Sequence, residues 1–290
     1  MHVAILAKSS ERTPKAEVDR AVDAVRSLQS FLEEHGHSVV VDERTADIGG
    51  FTPSASMEGL PEGADLAIVL GGDGTLLYAA RQFAPHDLPI YGINLGRLGF
   101  LTDTDPENWL VGLTRVLEGD YTVEQRIMLS GILRRPDGTV LGPYRALNDF
   151  VINKGALAQV VRLSTHVDDR FVSSYLADGI IVSTPTGSTA YGLAVGGPII
   201  VPTTEVMLVA PICPHILTNR PLVVAADSTI DVRLVEARDD CYLTIDGQEG
   251  VRLQPGDTLQ VRRSTKSARL VRTDSADFFA ILRTKLRWGG

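Results

Sequence analysis

The order of hydrophobic and polar positions divides the chain into two parts. Up to about residue 120, short apolar runs such as Val3–Leu6 and Leu66–Leu70 alternate with segments such as Lys15–His35, whose apolar residues recur at helical spacing. Buried parallel strands give unbroken apolar runs, and helices give a period of about 3.6 residues. The pattern therefore predicts an N-terminal doubly wound α/β domain built on a parallel sheet.

Other elements of this first part follow the same pattern. Strands are predicted at Ser38–Val41 and Pro89–Ile93, and a helix over 106–119 is predicted to be capped by Asp105. Residues 44–63 are rich in Gly, Pro, Ser and Thr, so we expect a long surface loop there.

From residue 121 the pattern changes to alternating apolar and polar residues between turn residues. Pro136-Asp137-Gly138 and Asp168-Asp169-Arg170 have the composition of hairpin turns, which predicts a mainly antiparallel β domain. Asp277–Trp288 returns to helical spacing and is expected to form a C-terminal helix that packs back on the N-terminal domain. The predicted domains are 1–120, with 273–290 returning to it, and 121–272.

The apolar run at Leu66–Leu70 is followed by Gly71-Gly72-Asp73-Gly74-Thr75 and then by a predicted helix. Glycines at such a turn let a phosphate approach the backbone amides of the helix start. A carboxylate beside a phosphate is repelled unless a metal ion lies between them or the carboxylate acts as a base towards a hydroxyl. The motif therefore indicates phosphoryl transfer. For this motif alone, an Asp-Gly turn after a core strand is the alternative.

Two stretches of the predicted β domain carry further polar chemistry. Hydroxyl residues and glycines crowd the run from Asp178 to Gly192 and suit a ligand with ribose or phosphate groups, and Tyr191 is able to stack on a base. Asn148-Asp149 interrupts a strand-like run, and adjacent amide and carboxylate side chains can bind the vicinal hydroxyls of a ribose. An ordinary Ser/Thr-rich loop and a solvated strand end are the respective alternatives.

Charge and composition exclude several classes of protein. The 290-residue chain has a net charge of −8, whereas a nucleic-acid binder needs a basic patch. It has no apolar run approaching about 18 residues, so no membrane span is predicted, and its first residues lack the features of a signal peptide. Cys213 and Cys241 form neither a metal-ligand spacing nor a disulfide framework. A cytoplasmic location is therefore expected.

Taken together, these stretches resemble the NAD kinase family. The glycine-rich loop at 71–75 is shared more loosely with diacylglycerol kinases, sphingosine kinases and phosphofructokinases, but the segment Thr184-Pro185-Thr186-Gly187-Ser188-Thr189-Ala190-Tyr191 is typical of NAD kinases. The resemblance covers essentially the whole chain. It includes the segments 94–103, 214–221 and 246–248 and the terminal 285–288.

The resemblance implies transfer of the γ-phosphoryl of ATP to the 2′-hydroxyl of the adenosine ribose of NAD, which gives NADP. It implies that Asp73 is the base that takes the hydroxyl proton. Mg²⁺ or another divalent cation would arrive on the nucleotide phosphates, without dedicated protein ligands. It also implies a homodimer or homotetramer in which the β domains meet. The charge and the apolar runs described above predict no nucleic-acid or membrane partner.

The resemblance also implies two sets of site residues. The phosphate loop would consist of Gly71, Gly72, Gly74 and Thr75. The NAD-binding set would consist of Asp73, Gly74, Asn148, Asp149, Gln159, Leu176, Asp178, Thr189, Ala190, Tyr191, Gly192, Leu193, Ala194 and Gln248. In that set, Asn148 and Asp149 would hold ribose hydroxyls, and Asp178 would lie at the nicotinamide end.

The chain departs from the family at two positions. Asp149 stands where relatives often have Glu, which shortens the reach of the carboxylate by about 1.5 Å. Leu176 stands where a basic residue is common, so a cation near the ligand is missing and the choice between NAD and NADH is left open.

Two rival functions follow from the same residues. The first is a sensor that binds NAD without turning it over; Asp73 argues against it, since binding alone gains nothing from a carboxylate near phosphates. The second is a lipid or sphingoid-base kinase built on the same glycine-rich loop. The sequence shows no apolar or basic membrane face for that activity.

Overall fold

The computed structural model describes residues 1–8, 14–96, 99–102, 109–155, 159–273 and 278–288. The chain forms two compact units, Met1–Gln125 together with Ala268–Gly290, and Arg126–Ser267. The boundaries differ from those predicted at 120/121 and 272/273, because a strand at each junction joins the sheet of the first unit.

The helices and strands are as follows. The strands are β1 (His2–Ala7), β2 (Ser38–Asp42), β3 (Ser54–Ala55), β4 (Leu66–Leu70), β5 (Pro89–Ile93), β6 (Thr122–Arg126), β7 (Leu129–Arg134), β8 (Val140–Ala146), β9 (Asp149–Lys154), β10 (Val161–Val167), β11 (Arg170–Ala177), β12 (Gly179–Ser183), β13 (Val206–Ile212), β14 (Leu222–Ala225), β15 (Ile230–Glu236), β16 (Cys241–Ile245), β17 (Glu249–Leu253), β18 (Thr258–Arg263) and β19 (Ala268–Arg272). The helices are α1 (Lys15–Glu34), α2 (Glu43–Gly49), α3 (Asp73–Phe83), α4 (Trp109–Leu117), α5 (Tyr191–Ala194) and α6 (Phe278–Leu286). Short 3₁₀ turns cover Ala84–His86 and Thr186–Thr189.

The first unit is built on a seven-stranded sheet with the order β3-β2-β1-β4-β5-β19-β6. β1 lies between β2 and β4 and runs parallel to both. All five residues of β4 are buried, which explains its unbroken apolar sequence. Val25, Leu28 and Leu32 form the fully buried stripe of α1 and pack in the same core. The predicted α/β domain is confirmed.

The prediction of a long surface loop over 44–63 was wrong, since this stretch contains most of α2 and all of β3. Asp42 caps α2 by accepting the Thr45 amide at 3.1 Å, and Gly50 ends the helix in the left-handed conformation, with φ of 70°. The predicted Asp105 cap lies outside the described residues.

The second unit contains two six-stranded sheets, with the orders β11-β10-β15-β18-β7-β8 and β14-β13-β12-β9-β16-β17. Alternate residues of both sheets form one hydrophobic core. In the second sheet, β9 and β12 are antiparallel neighbours, with Asp149 opposite Ser183 and Asn153 opposite Gly179. The predicted antiparallel β domain is confirmed.

The chain returns to the first unit after β18. β19 pairs in parallel with β5, and α6 follows with Leu282 buried. The ammonium of Lys285 lies 5.7 Å from the ring centroid of Phe100, within range of a cation–π contact. The predicted return of a C-terminal helix to the N-terminal domain is confirmed. In the described part of the chain, no helix is long and apolar enough to cross a membrane.

Gly179 allows β9 and β12 to approach closely, because a Cβ at this position would overlap the carbonyl oxygen of Ile152. We expect Gly179→Ala to lower the free energy of unfolding by about 1–3 kcal/mol, since the strands must separate to admit the methyl group. Urea unfolding measures this loss. Gly250→Ala is the matched control, because open space surrounds that strand glycine. Equal stabilities for the two variants would contradict the prediction.

Candidate active site

The predicted phosphate loop lies where β4 passes into α3. The Gly71 amide donates to the Ile93 carbonyl at 3.0 Å, and α3 begins at Asp73 with Gly72 as its N-cap. A Cβ at Gly71 would overlap the hydroxyl of Thr75, so glycine is needed for the loop to close over that side chain. The loop therefore lies at the carboxyl ends of β4 and β5, the position at which α/β sheets bind ligands.

Both carboxylate oxygens of Asp73 accept backbone amides. Oδ2 accepts the Phe100 amide at 2.8 Å, and Oδ1 accepts the Leu101 amide at 3.0 Å. A Cβ at Gly99 would overlap Oδ1, so the backbone lies directly against the carboxylate. These bonds fix the orientation of the half-buried group. Each oxygen keeps further lone-pair capacity for a substrate hydroxyl.

The segment that holds Asp73 is itself anchored from the end of the chain. Arg272, at the end of β19, donates from its guanidinium to the Leu101 carbonyl at 3.0 Å. The same side chain forms an ion pair with Glu124 at 3.1 Å and is almost fully buried. A network of hydrogen bonds thus connects β6, β19 and Leu101 to the carboxylate of Asp73.

A cavity of about 260 Å³ adjoins the glycine-rich loop. It is lined by Lys8, Glu17, Arg20, Gly71, Gly72, Asn94, Leu95 and Gly96. Two cations face one anion here, and the Lys8 ammonium lies 2.7 Å from the Glu17 carboxylate. A hydrogen bond from Lys8 and its positive charge hold the pKa of Glu17 below its usual range. The lining is net positive and suits an anionic ligand.

Lys8 and Arg20 line this cavity but are not among the site residues predicted from the sequence. Lys8 directly follows β1, and the sheet order brings the carboxyl end of β1 beside β4, with Ala7 opposite Leu70. A basic residue directly after an apolar strand is visible in the sequence. It indicates a phosphate-binding residue only when the strand is known to lie beside β4.

In the second unit, the predicted ribose-binding pair lies at a bend before β9 that Asp246 holds. The Asp246 carboxylate accepts the amides of Leu147 at 3.0 Å, Asn148 at 2.7 Å and Asp149 at 3.1 Å. Its own amide donates to the Asp149 carbonyl at 3.0 Å. Because three consecutive amides point to one carboxylate, the backbone that carries the Asn148 and Asp149 side chains is held in place.

The other side of this bend is held by the hydroxyl-rich loop. Thr184 donates from its amide to the Asn148 carbonyl at 2.8 Å and from its hydroxyl to the Leu147 carbonyl at 2.6 Å. The buried Ser188 hydroxyl donates to the Pro185 carbonyl at 2.6 Å. The interpretation of these hydroxyls as ligand-binding groups is therefore wrong for Thr184 and Ser188, which form bonds within the protein. They shape the bend instead.

The electrostatics of this unit centre on Asp149 and Tyr191. Burial, and then the charge of Asp246, raise the pKa of Asp149 to about 7. Burial, followed by the negative charges of Cys213, Asp178 and Asp149, raises the pKa of the Tyr191 phenol. Tyr191 therefore lies within electrostatic reach of both carboxylates. The residue is 38% exposed and accessible to a ligand.

The remaining predicted residues are spread over this unit. Thr189 ends the 3₁₀ turn of the hydroxyl-rich run, and Tyr191–Ala194 forms α5, in which Gly192 is buried. Gln248 is exposed in the turn between β16 and β17, and Leu176 lies on β11. Gln159 is exposed, and its side-chain oxygen accepts a hydrogen bond from Arg238 at 3.3 Å. The structure thus groups Asn148, Asp149 and Tyr191, whereas Gln159 contacts a different loop.

Asp178 lies at the opposite end of β12 from the bend. Asp149 is opposite Ser183 in the register, five residues along the chain from Asp178, a separation of about 17 Å at 3.3–3.4 Å per residue. The two carboxylates cannot contact one ribose. They suit separate parts of a long ligand.

Comparison with known proteins identifies the class of protein that this fold and these loops define. The ATP-NAD kinase N-terminal domain matches residues 3–121, and the ATP-NAD kinase C-terminal domain matches residues 147–273. An NAD kinase of Geobacter metallireducens is 49% identical over 262 residues, which cover 90% of this chain and 92% of the relative. An NAD kinase of Geotalea daltonii is 44% identical over 270 residues, 93% of this chain and 95% of the relative.

Solved structures agree with this result. The crystal structure of an NAD kinase from Archaeoglobus fulgidus in complex with ATP matches all of both chains, with a TM-score of 0.76 and 27% identity. Yeast NADH kinase complexed with NADH matches with a TM-score of 0.88 and 24% identity, over 100% of this chain and 89% of that one, and supports the fold. The protein is thus a phosphotransferase. This chain belongs to the NAD kinase family.

The raised pKa of Asp149 makes stability depend on pH. The native state keeps a proton that the unfolded chain loses near pH 4, so stability falls as pH rises from there to about 7, by up to about 1.4 kcal/mol per pH unit. We expect Asp149→Asn to remove this slope and to be more stable, relative to wild type, at pH 8 than at pH 5. Urea unfolding across this range is the measurement.

The control for this experiment is Asp227→Asn, which alters an exposed carboxylate in the same unit. Its stability profile should run parallel to that of wild type. A parallel profile for Asp149→Asn as well would show that Asp149 does not retain its proton in the folded protein.

Proposed function

We propose that this chain transfers the γ-phosphoryl of ATP to the 2′-hydroxyl of the adenosine ribose of NAD, giving NADP. The observation that carries the proposal is the Asp73 carboxylate, fixed by two backbone amides at the carboxyl end of β4 beside a cationic cavity. ATP as donor is supported by the Archaeoglobus fulgidus relative, whose structure is a complex with ATP.

In the proposed reaction, a carboxylate oxygen of Asp73 takes the proton of the 2′-hydroxyl. The hydroxyl oxygen forms a bond to the γ-phosphorus as the bond from that phosphorus to the ADP oxygen breaks. Lys8 and Arg20 would neutralise phosphate charge, and Gly71 and Gly72 would admit the phosphates to the backbone. The fixed direction of the carboxylate aids this role, because a base must be aimed at the proton that it accepts.

The dinucleotide would be held by residues of the second unit. Asn148 and Asp149 would bind ribose hydroxyls from the bend that Asp246 and Thr184 shape. Tyr191 would stack on a base, and Asp178 would lie at the nicotinamide end. The proposal also assigns NAD contacts to the remaining predicted residues. These are Gln159, Leu176, Thr189, Ala190, Gly192, Leu193, Ala194 and Gln248.

Mg²⁺ is part of the proposal as an ion that accompanies the donor phosphates. In the described ranges, no three His, Cys, Asp or Glu side chains are grouped to hold a metal. Near the loop, Asp73 already accepts two amides and Glu17 is paired with Lys8, so these residues suit a cation held mainly by phosphates and water. When bound, the cation would withdraw charge from the transferred phosphoryl group.

The compartment and assembly are also proposals. Both Cys213 and Cys241 are free, which suits the reducing cytoplasm. A homodimer or homotetramer is supported by apolar side chains exposed on strands at sheet edges, among them Phe171 on β11 and Val223 on β14.

The first test is NADP formation by the purified protein with ATP, Mg²⁺ and NAD. We expect turnover by wild type and a loss of about 10²–10⁴-fold in kcat for Asp73→Asn, since the base is removed. Calorimetric NAD binding should change far less.

Two results with wild type would contradict the proposal. NAD binding without turnover would support a sensor, and phosphorylation of diacylglycerol but not NAD would support a lipid kinase. Unchanged kcat in the variant would remove Asp73 from the mechanism.

The cationic cavity predicts a separate effect on the donor. We expect Arg20→Gln to raise the KM for ATP about tenfold and to leave the KM for NAD unchanged. A change of about tenfold is the effect on binding expected from the loss of one charge-assisted hydrogen bond. Arg26→Gln is the control, because Arg26 lies on the same helix but donates to the Gly49 carbonyl. Initial-rate kinetics with each substrate varied in turn distinguish the two. A rise in the NAD KM alone would place the donor elsewhere.

A further inference from the structure

The carboxylate of Asp178 has a lysine beside it. Lys154 ends β9, and its ammonium lies 3.5 Å from Oδ1 of Asp178. The backbone amide of Lys154 also donates to the Asp178 carbonyl at 3.0 Å. The two residues are therefore held together by a backbone hydrogen bond as well as by the attraction of their charges.

The close approach of the two strands keeps this pair together. Gly179 follows Asp178 and lies opposite Asn153, and it has no room for a Cβ against the backbone of β9. The Lys154 and Asp178 side chains are 24% and 35% exposed, so solvent screens their attraction only in part. A ligand that contacts Asp178 also experiences the charge of Lys154.

A basic residue on the neighbouring strand β10, Arg162, is directed elsewhere. Arg162 lies opposite Leu176 in the register of β10 and β11, but its guanidinium pairs with Glu236 at 3.6 Å. Leu176, on the neighbouring β11, provides no charge. Lys154 thus supplies positive charge at Asp178 from a different strand.

We propose that Lys154 is a specificity-determining residue for the oxidation state of the dinucleotide. By neutralising Asp178, it limits the preference for an oxidised nicotinamide ring, which carries a positive charge, over a reduced ring, which carries none. This inference rests on the proposed function, because it takes Asp178 to lie at the nicotinamide end of bound NAD.

The sign of the effect follows from the charges. Without Lys154, Asp178 presents an uncompensated negative charge, which attracts the cationic ring of NAD and leaves neutral NADH almost unaffected. We expect Lys154→Gln to raise the ratio of kcat/KM for NAD to that for NADH by about three- to tenfold, the range of a partly screened charge pair. Lys154→Arg keeps the charge and should leave the ratio close to that of wild type.

The experiment measures kcat/KM for NAD and NADH, with ATP as donor, for wild type, both Lys154 variants and Arg162→Gln. Calorimetric binding of NAD and NADH gives the same ratio without turnover. Arg162→Gln is the matched control, because it removes a cation from the neighbouring β10 that is paired elsewhere. A ratio that rises only in Lys154→Gln supports the inference.

Two outcomes would overturn it, and they differ from a failure of the proposed function. An unchanged ratio in Lys154→Gln, with wild type phosphorylating NAD, rejects the role of Lys154 and leaves the kinase activity intact. An equal rise in Arg162→Gln would show a general effect of net charge. Absence of NAD phosphorylation by wild type rejects the proposed function itself, and the binding ratios then test Lys154 separately.

Discussion

The Asp246 carboxylate accepts three consecutive backbone amides, and the bend before β9 depends on these bonds for its shape. Thr184 holds the carbonyls of the same bend from the opposite side, so its backbone groups are satisfied within the protein. The carboxylate has a second effect, because its charge and the burial of the site raise the pKa of Asp149. One buried acid thus both positions its neighbour and favours the neutral form of that neighbour near neutral pH.

The first unit uses the same chemistry at a different place. The Asp73 carboxylate accepts the consecutive amides of Phe100 and Leu101. Arg272 in turn donates to the carbonyl of Leu101. In both units an aspartate carboxylate accepts consecutive backbone amides where the backbone turns. In a regular sheet, the carbonyls of a neighbouring strand would accept them. Side chains beside such turns are positioned by hydrogen bonds that do not depend on a bound ligand.

Sequence patterns predicted the long elements because burial imposes their period: β4 is apolar throughout, and α1 has a buried stripe. They did not predict α2, whose start depends on one side-chain bond between Asp42 and Thr45 within a stretch rich in turn residues. Nor did they identify the partner of the Thr184 hydroxyl, since a hydroxyl bonded to the backbone and one bonded to a ligand look alike in sequence. Lys8 and Lys154 were missed for a related reason: strand order and register place them beside the loop and beside Asp178.

The position of β19 has a consequence for synthesis on the ribosome. This strand lies between β5 and β6 in the sheet of the first unit, yet it is made after all of the second unit. While the chain is being translated, β5 therefore lacks its neighbour, and Arg272 is absent from the segment that holds Asp73. The N-terminal unit is encoded first but completed last, whereas every strand of the second unit's two sheets has been made by the time its final residue is added. Synthesis of β19, rather than emergence of the glycine-rich loop, is the step that completes the sheet of the first unit.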